Sequence, residues 1–504
     1  MTRCASAAVV ASPCLVRLLE PPGLPPPGFD GDSLVSFDLS FHGAARTVTG
    51  SKHLLRVDDT RVLLDAGLFQ GLKKLRLRNW NAPAFDPRSI DHVLLSHTHI
   101  DHVGYLPRLV KMGLRAPVYM TPAAFELAEI MLLDSAKIQE EDARRANRKG
   151  YTKHKPALPL YDAKDAKAAL KLRRVQRFNQ WLRLDHHGQV RARFHNAGHL
   201  LGSAFIELKV HAGGRQTRIV FSGDIGRFEV PLHLDPRPRP PCDVLILEST
   251  YGDRLHDRTP IADQLAEPFA RVLDQRGTIL IPAFAVGRSQ QVALVLRRLM
   301  RRGRIPEVPI HIDSPMAINA TRVYSRFLDK RNVDPQVFED GRLKIFPDHV
   351  YFHRTVAESK KLNDMKGPRV IISSSGMLTA GRVLHHLARL AGDRRNLVVL
   401  AGYQAPGTRG RDLVEGRKEI KIHGRYVPVR CRTLSLHGLS GHGDRDELLR
   451  WVDSCAEPPK VVFMVHGEPK SAEALGETLR RRYGCRVKVP EMDQRFDLRR
   501  ELAF

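Results

Sequence analysis

The sequence feature that most constrains this chain is the run HTHIDH at positions 97–102, which holds three imidazoles and one carboxylate. The residues before it, HVLLS at 92–96, form a short apolar stretch that predicts a buried strand, so the run lies where a strand ends. The first two histidines can project together, and the aspartate and the last histidine can reach a neighbouring point, which suits two adjacent metal ions. Nitrogen and oxygen ligands without a thiolate favour a catalytic zinc site over a structural one.

Five short apolar runs in the chain share one pattern, in which each run ends in a polar residue followed by glycine or a turn. Helix-like segments separate them, and this alternation predicts an α/β protein. Active sites of α/β sheets collect at the carboxyl ends of the strands. The runs are RVLLDAG (61–67), HVLLSH (92–97), RIVFSGD (218–224), DVLILEST (243–250) and KVVFMVHGE (460–468). Their endings supply Asp65, His97, Asp224, Glu248 and His466.

A second α/β block lies between Tyr251 and about Arg432, and its strands are predicted at 277–283, 308–314, 369–375 and 396–402. The metal-type motifs resume only after this block, so we expect it to be inserted into the first domain. The predicted organisation is a disordered, proline-rich extension over 1–35, a first domain part over 36–250, an inserted domain over 251–432 and a returning part over 433–504.

The chain is strongly basic, with 81 Lys and Arg against 55 Asp and Glu and a net charge of +26. A folded protein this basic often binds a polyanion, usually nucleic acid. The excess is uneven, because residues 144–193 hold fifteen Lys and Arg against three Asp and Glu. Within that stretch, residues 164–182 are typical of a basic helix, and we expect a phosphate-binding wall there.

The six cysteines are scattered and include no C-x-x-C pair, which argues against a zinc ribbon and against a disulfide framework. No apolar run approaches the roughly 18–20 residues of a membrane span. A reducing cytoplasm is the simplest location for such a chain, and no membrane partner is expected.

Further metal-ligand candidates follow the first cluster. The segment HNAGHLLGSAF contains His199 among small residues that let the backbone approach an ion, although His195 in the same segment is an alternative. Asp224 lies at a strand end before Gly226, where one carboxylate could bridge two cations. His466, in VHGEP, is the last candidate.

Seven motifs together resemble the signatures of the metallo-β-lactamase superfamily and, more narrowly, of its β-CASP branch of nucleic-acid nucleases. That branch includes bacterial and archaeal RNA-processing enzymes and the eukaryotic cleavage-and-polyadenylation endonuclease. The resemblance runs from about Ser36 to Glu468, and Glu248, His442 and His466 around an inserted domain indicate the branch. The motifs are LLDAG, SHTHIDHVG, NAGHLLGSA, FSGDIG, ESTYGDR, LSGHGD and VHGEP.

This resemblance implies an αββα metallo-β-lactamase sandwich, an α/β fold, with an inserted β-CASP domain and two Zn²⁺ ions. It implies that one zinc is bound by His97, His99 and His199, the other by Asp101, His102 and His466, and both by Asp224. It further implies that Asp65 orients the ligand loop from behind, and that Glu248 and His442 form a catalytic pair. We hypothesise that His442 protonates the leaving 3′-oxygen and that Glu248 holds it in its cationic form.

Two loops of the inserted block are candidates for RNA phosphate contacts. SSSGMLTAGR (373–382) and FAVGRSQQ (284–291) each precede a helical pattern, and helix N-termini bind anions. An ordinary strand-to-helix turn would give the same pattern. The predicted contact residues are Arg288, Ser375, Gly376 and Arg382.

The chain is therefore predicted to be a zinc-dependent ribonuclease that cuts single-stranded RNA, most simply as an endonuclease, and leaves 5′-phosphate and 3′-hydroxyl ends. A 5′→3′ exonuclease mode stays open. One alternative is a small-molecule (thio)ester hydrolase on the same scaffold, and the inserted block and the basic excess count against it. Another is a non-catalytic RNA-binding member, against which the complete ligand set counts. A homodimer is a further expectation from the resemblance.

Overall fold

The structure is a computed structural model that describes residues 36–150, 152, 154–327, 337–339, 342–343, 345–436 and 439–503. The extension predicted over residues 1–35 lies outside the described residues. From Ser36 onward the chain forms one compact unit.

The region before the predicted insertion contains eleven strands and five helices among its described residues. In chain order they are β1 (Phe37–Phe41), β2 (His53–Val57), β3 (Thr60–Leu64), α1 (Lys73–Arg78), β4 (His92–Leu94), α2 (Ile100–Val103), α3 (Leu106–Lys111), β5 (Val118–Met120), α4 (Pro122–Lys149), α5 (Ala163–Lys171), β6 (Arg173–Val175), β7 (Trp181–Arg183), β8 (Val190–Asn196), β9 (Ala204–Ala212), β10 (Arg215–Phe221) and β11 (Val244–Glu248).

The central region and the C-terminal region contain the remaining described elements. The central ones are α6 (Ile261–Asp274), β12 (Thr278–Pro282), α7 (Arg288–Arg301), β13 (Ile310–Asp313), α8 (Pro315–Phe327), β14 (Phe338–Glu339), β15 (Arg342–Leu343), β16 (Val350–Phe352), α9 (Val356–Asp364), β17 (Arg369–Ser373), α10 (Val383–Leu390), β18 (Leu397–Ala401), α11 (Arg409–Val414), β19 (Glu419–Ile422), β20 (Arg425–Pro428) and β21 (Arg432–Leu436). The C-terminal ones are α12 (Arg445–Asp453), β22 (Val461–Val465), α13 (Pro469–Tyr483), β23 (Arg486–Lys488), β24 (Gln494–Asp497) and α14 (Leu498–Leu502).

Two seven-stranded sheets pack face to face. Their strand orders are β24-β1-β2-β3-β4-β5-β6 and β23-β22-β11-β10-β9-β8-β7. Inner-face rings from the two sheets meet, with the Phe41 and Phe463 centroids 5.2 Å apart and those of His53 and Phe221 5.5 Å apart. Apolar side chains of α3 and α5 cover one outer face, and those of α12 and α13 cover part of the other. This arrangement confirms the predicted αββα sandwich.

The inserted block has its own six-stranded sheet, with strand order β16-β13-β17-β12-β18-β21 and parallel pairing throughout. The block enters after β11 and leaves before β22, and those two strands are parallel neighbours in the second sheet. The first domain therefore closes only when the chain returns, as predicted. Since β21 extends to Leu436, we propose that the block ends there, four residues beyond the predicted boundary at 432.

The predicted basic helix over 164–182 is wrong in its second half. Helix α5 ends at Lys171, after Ala166, Ala169 and Leu170 have supplied its buried face. The next residues form β6 because Arg173 pairs with Val118 of β5, so strand pairing overrides the helical pattern.

The described cysteines Cys242, Cys431, Cys455 and Cys485 form no disulfide. Among the described residues, no helix combines the length and the apolar content that a membrane crossing requires.

Candidate metal centre and cleft

The predicted strand ends converge at one edge of the sandwich. Glu248 closes β11, Asp65 and His466 directly follow β3 and β22, and His97 and Asp224 lie three residues after β4 and β10. The HTHIDH run turns from β4 into the short helix α2, which begins after His99. The short strands bury their apolar residues between the layers, and the candidate side chains lie within three residues of the strand ends, where sites of α/β sheets collect.

One group of ligand atoms comes from His97, His99, His199 and Asp224, and these atoms lie within 4.8 Å of one another. His99 Nδ1 is 3.1 Å from both His97 Nε2 and His199 Nε2. Asp224 Oδ2 lies 3.3 Å from His97 Nε2 and 3.6 Å from His199 Nε2. Three ring nitrogens and one carboxylate oxygen therefore face a common point.

A second group lies on the other side of the same carboxylate. It combines Asp101, His102 and His466, again within 4.8 Å. His102 Nε2 is 3.0 Å from His466 Nε2 and 3.4 Å from Asp224 Oδ1. His466 Nε2 is 3.6 Å from Asp101 Oδ2. Asp224 thus offers one oxygen to each group.

The donor set fits a pair of divalent cations. Asp224 is 2% exposed, and its Oδ1 has no hydrogen-bond partner among the described residues. Burial is the main cause that lowers the pKa of His99 and of His199 well below the usual value, so their rings are neutral and present lone pairs to each other. Lone pairs that converge around a carboxylate oxygen without a hydrogen-bond partner favour a cation between them, and imidazole and carboxylate suit zinc.

Asp65 lies behind the second group and is fully buried. It accepts hydrogen bonds from the Ser96 backbone N–H at 2.8 Å, from Ser96 Oγ at 3.0 Å and from Ser51 Oγ at 3.0 Å. Its Oδ2 is also 2.7 Å from His102 Nδ1. This contact directs the other ring nitrogen of His102 toward the cation position. Metal-binding histidines are commonly oriented in this way by a carboxylate that bonds to the ring nitrogen facing away from the metal.

His442 and Glu248 meet beside the metal centre. His442 Nδ1 lies 2.9 Å from Glu248 Oε2, and the other oxygen of Glu248 accepts a 2.6 Å bond from the Ile225 backbone N–H. Burial lowers the pKa of His442, but the charges of Glu248 and Asp224 outweigh it and raise the pKa to about 9. His442 therefore carries a proton that Glu248 helps to hold.

Thr250 is a residue that motif reasoning did not single out. Its hydroxyl is 2.8 Å from Glu248 Oε2 and 3.0 Å from His466 Nδ1, so it ties the carboxylate of the pair to a ring of the second group. In the sequence, only its position two residues after Glu248 in ESTYGDR pointed to this role, because its partner His466 is remote in the chain. Likewise Gly441 contributes a backbone carbonyl 2.9 Å from His199 Nδ1, which no side-chain pattern encodes.

The geometry favours His199 over His195 as the candidate ligand. His199 joins the first ligand group. His195 instead lies on β8 with its Nε2 2.9 Å from Glu207 Oε2 and its ring stacked on Phe205.

Arg288 lines the same cleft as His99, Asp224 and His442. It is 7% exposed, and neither Nε nor Nη1 has a hydrogen-bond partner among the described residues. Burial is the largest cause that lowers the pKa of this guanidinium, to about 10, so it stays charged. A buried charge without a partner is costly, and an anion in the cleft would offset that cost.

The other three predicted phosphate contacts do not line this cleft. Ser375 Oγ bonds to Thr379, and Gly376 packs against Phe284, where an added Cβ would lie 3.0 Å from the backbone nitrogen. Arg382 Nη1 donates to Asp313 Oδ1 at 2.7 Å, and Nη2 donates to a backbone carbonyl at 2.8 Å. The guanidinium of Arg382 therefore bonds to Asp313 and to backbone carbonyls, and its role as a phosphate clamp beside Arg288 stays a prediction.

Three family models match consecutive parts of the chain. A metallo-beta-lactamase superfamily domain matches residues 54–223, a Beta-Casp domain matches 289–413, and a Zn-dependent metallo-hydrolase RNA specificity domain matches 426–490. The matches follow the order of the sandwich, the inserted sheet and the returning part.

Characterised relatives cover most of the chain. Ribonuclease TTHA0252 of Thermus thermophilus is 40% identical over 440 residues, which span 87% of this chain and 94% of the relative. Transcription termination factor FttA of Methanocaldococcus jannaschii is 31% identical over 464 residues, 90% of this chain and 70% of the relative. FttA of Pyrococcus abyssi is 32% identical over 471 residues, 89% of this chain and 69% of the relative.

Proposed function

The chain belongs to the β-CASP branch of the metallo-β-lactamase superfamily and is a metal-dependent RNA nuclease; we propose that it binds two zinc ions and cuts single-stranded RNA internally. The proposed products carry a 5′-phosphate and a 3′-hydroxyl. The observation that carries this proposal is the convergence of two ligand groups on Asp224, whose Oδ1 has no partner among the described residues, beside the His442–Glu248 pair.

The proposed zinc ligands form the same two groups as the short interatomic distances around Asp224. His97, His99 and His199 would hold one zinc, and Asp101, His102 and His466 the other, with Asp224 between them. When bound, such a pair of ions activates water at neutral pH and neutralises charge that builds up on a phosphate.

The cleft side chains would act on the RNA backbone directly. Arg288 would contact a non-bridging phosphate oxygen, which supplies the anion that its buried guanidinium lacks. This contact would strengthen as charge builds up in the transition state.

His442 would supply the proton that the leaving 3′-oxygen needs. Its Nδ1 is engaged by Glu248, which leaves Nε2 as the nitrogen that can donate. Glu248 is in turn fixed by Thr250 and by the Ile225 backbone, so the ring has one orientation. A positioned acid of this kind contributes about 10²–10⁴-fold to rate.

The two competing functions fit less well. A small (thio)ester hydrolase needs neither the RNA specificity domain at 426–490 nor a buried arginine with two nitrogens that lack hydrogen-bond partners among the described residues. A non-catalytic RNA-binding protein would not need the complete ligand set. We further propose a cytoplasmic location, supported by the unpaired cysteines, and a homodimer, which sedimentation at several concentrations would check.

End-labelled RNA tests this function. A single-stranded RNA, labelled in turn at each end, is incubated with the zinc-loaded protein and with the His442→Ala variant. We expect internal cuts with 5′-phosphate ends, and a loss of about 10²–10⁴-fold in the variant with its zinc content unchanged. Stepwise loss from the 5′ end would contradict the endonuclease assignment, and full activity of the variant would contradict the role of His442.

A further inference from the structure

The outer face of the second sheet carries a row of four basic residues in directly paired positions. Arg183 of β7 is paired with Arg191 of β8, Arg191 with Lys209 of β9, and Lys209 with Arg218 of β10. Directly paired residues of antiparallel strands point to the same face. Neighbouring strands are about 4.8 Å apart, so the row crosses about 14 Å of sheet.

Arg183 and Arg191 of this row are exposed to solvent, and Lys209 and Arg218 are half-buried. Along β8, Val190 and Ala192 are buried in the sandwich whereas Arg191 between them is exposed. Helix α12 covers the same outer face further along, where Trp451 packs on Phe205 at 5.2 Å. The basic row lies outside that covered part.

Most of the row lacks a neutralising partner. Arg218 pairs with Glu457 at 3.0 Å, but no acidic partner is found for Arg183, Arg191 or Lys209 among the described residues. Like charges directly opposite each other on a sheet are destabilising. The fold therefore accepts a repulsive arrangement that an anion would relieve.

An exposed aromatic ring lies beside the row. Trp181 is 37% exposed and is paired with Arg193. The Arg193 guanidinium lies 4.5 Å from the Trp181 ring centroid and Lys209 Nζ lies 4.8 Å from it. Arg193 is itself paired with Glu207 at 2.7 Å, so the cations of the row are the ones open to an anion. An exposed ring beside a row of cations is a combination that binds single-stranded nucleic acid, through stacking on bases and contacts to phosphates.

We propose that this surface, formed by Trp181, Arg183, Arg191, Lys209 and Arg218, is a second binding site for the single-stranded RNA substrate, outside the metal cleft. The proposal rests on the RNA nuclease function above. Arg218 precedes Asp224 by six residues, which at strand spacing is about 20 Å at most. An RNA long enough to cross this distance would reach both the cleft and this surface, so it would bind more tightly than a short one.

Two RNAs with a common sequence test the proposal: a short one that fills only the cleft and a long one that extends past it. Binding is measured over a range of salt in the His442→Ala background, so that the RNA stays intact. Arg191→Glu should weaken binding of the long RNA about tenfold and lower its salt slope by about 0.7, and leave the short RNA unaffected. The matched control is Arg486→Glu, an exposed strand arginine at the other edge of the same sheet.

Protein stability provides the second measurement. Because Arg191→Glu removes repulsion within the row, its unfolding midpoint should be no lower than that of the parent. Trp181→Ala, like Arg191→Glu, should weaken binding of the long RNA only. Equal effects of Arg191→Glu and Arg486→Glu, or unchanged binding of the long RNA, would overturn the proposal. Failure of the unmodified protein to cleave the short RNA would instead contradict the proposed function, so the two failures are distinguishable.

Discussion

Two clusters in this molecule look alike by composition and differ in how completely they are hydrogen-bonded. Asp224, at the sandwich edge, is surrounded by histidines with Arg288 in the same cleft, and Asp313, the last residue of β13, is surrounded by His386 and Arg382. Both aspartates are buried and both lie at the carboxyl ends of strands.

The hydrogen bonds separate the two clusters. Asp313 Oδ1 accepts from Arg382 at 2.7 Å, and Oδ2 lies 2.6 Å from Ser359 Oγ and 2.7 Å from His386 Nε2, so the carboxylate is saturated by the protein. Asp224 Oδ1 and the Nε and Nη1 atoms of Arg288 lack hydrogen-bond partners among the described residues. Buried His, Asp and Arg indicate a ligand site only where their polar atoms are left without partners, because a satisfied cluster stabilises the fold and needs nothing further.

The largest expected effect is that of Asp224→Asn. Loss of the shared carboxylate should release at least one zinc and lower the RNA cleavage rate at least about a thousandfold, which is about 4 kcal/mol of transition-state stabilisation. Elemental analysis and single-turnover cleavage measure the two effects. Retention of both ions with normal cleavage would show that Asp224 does not bridge them.

The counterpart variant, Asp313→Asn, should lower the stability of the protein and leave zinc binding and RNA cleavage nearly unchanged. It leaves the half-buried Arg382 without its carboxylate, and since breaking a fully buried pair costs about 3–5 kcal/mol, we expect a loss of unfolding free energy toward the lower end of that range. Zinc content and cleavage rate should stay within about twofold of the parent. Denaturant unfolding and cleavage assays check this, and a zinc loss as large as that of Asp224→Asn would erase the distinction between the clusters.

The variants Arg288→Met and Arg382→Met compare the arginines of the two clusters. Arg288→Met should weaken RNA binding about tenfold, about 1.4 kcal/mol, with a shallower salt dependence and no loss of stability. Arg382→Met should destabilise the protein and leave the salt slope unchanged, because its guanidinium bonds to Asp313 rather than to RNA. Binding titrations over a range of salt and melting curves distinguish them, and identical salt slopes for both variants would refute the assignment.

The smallest effect is a pH dependence of stability. Burial raises the pKa of Asp313, but the bonds from His386, Ser359 and Arg382 outweigh it and place the pKa below its usual value of 3.8. Asp313 therefore contributes stability above pH 3.8, and this contribution is lost as the pH falls through the lower folded-state pKa. The difference in unfolding free energy between the parent and Asp313→Asn should shrink as acid unfolding is followed below about pH 4; a constant difference would contradict the assignment.

The predicted metal centre rests mainly on short-range information in the sequence. An apolar strand followed by a ligand needs only adjacent residues, and this places His97, Asp224 and His466 at one edge. The family resemblance then supplied which ligands belong together, a grouping that matches the observed distances.

Features that depend on remote partners were not accessible in the same way. Arg382 follows a glycine in a loop typical of phosphate binding, and its actual partner Asp313 lies 69 residues earlier in the chain. The helical pattern after Lys171 gives way to β6 because β5 offers a strand edge that the local sequence does not reveal. In both cases tertiary contacts decide between two locally acceptable structures.

The central claim is that only the cluster with unsatisfied polar atoms binds metal, and anomalous diffraction at the zinc edge from crystals of the zinc-loaded protein tests it most directly. We predict two zinc peaks, one among His97, His99 and His199 and one among Asp101, His102 and His466, with no peak at Asp313. An empty cluster at Asp224, or a zinc bound at Asp313, would contradict the account.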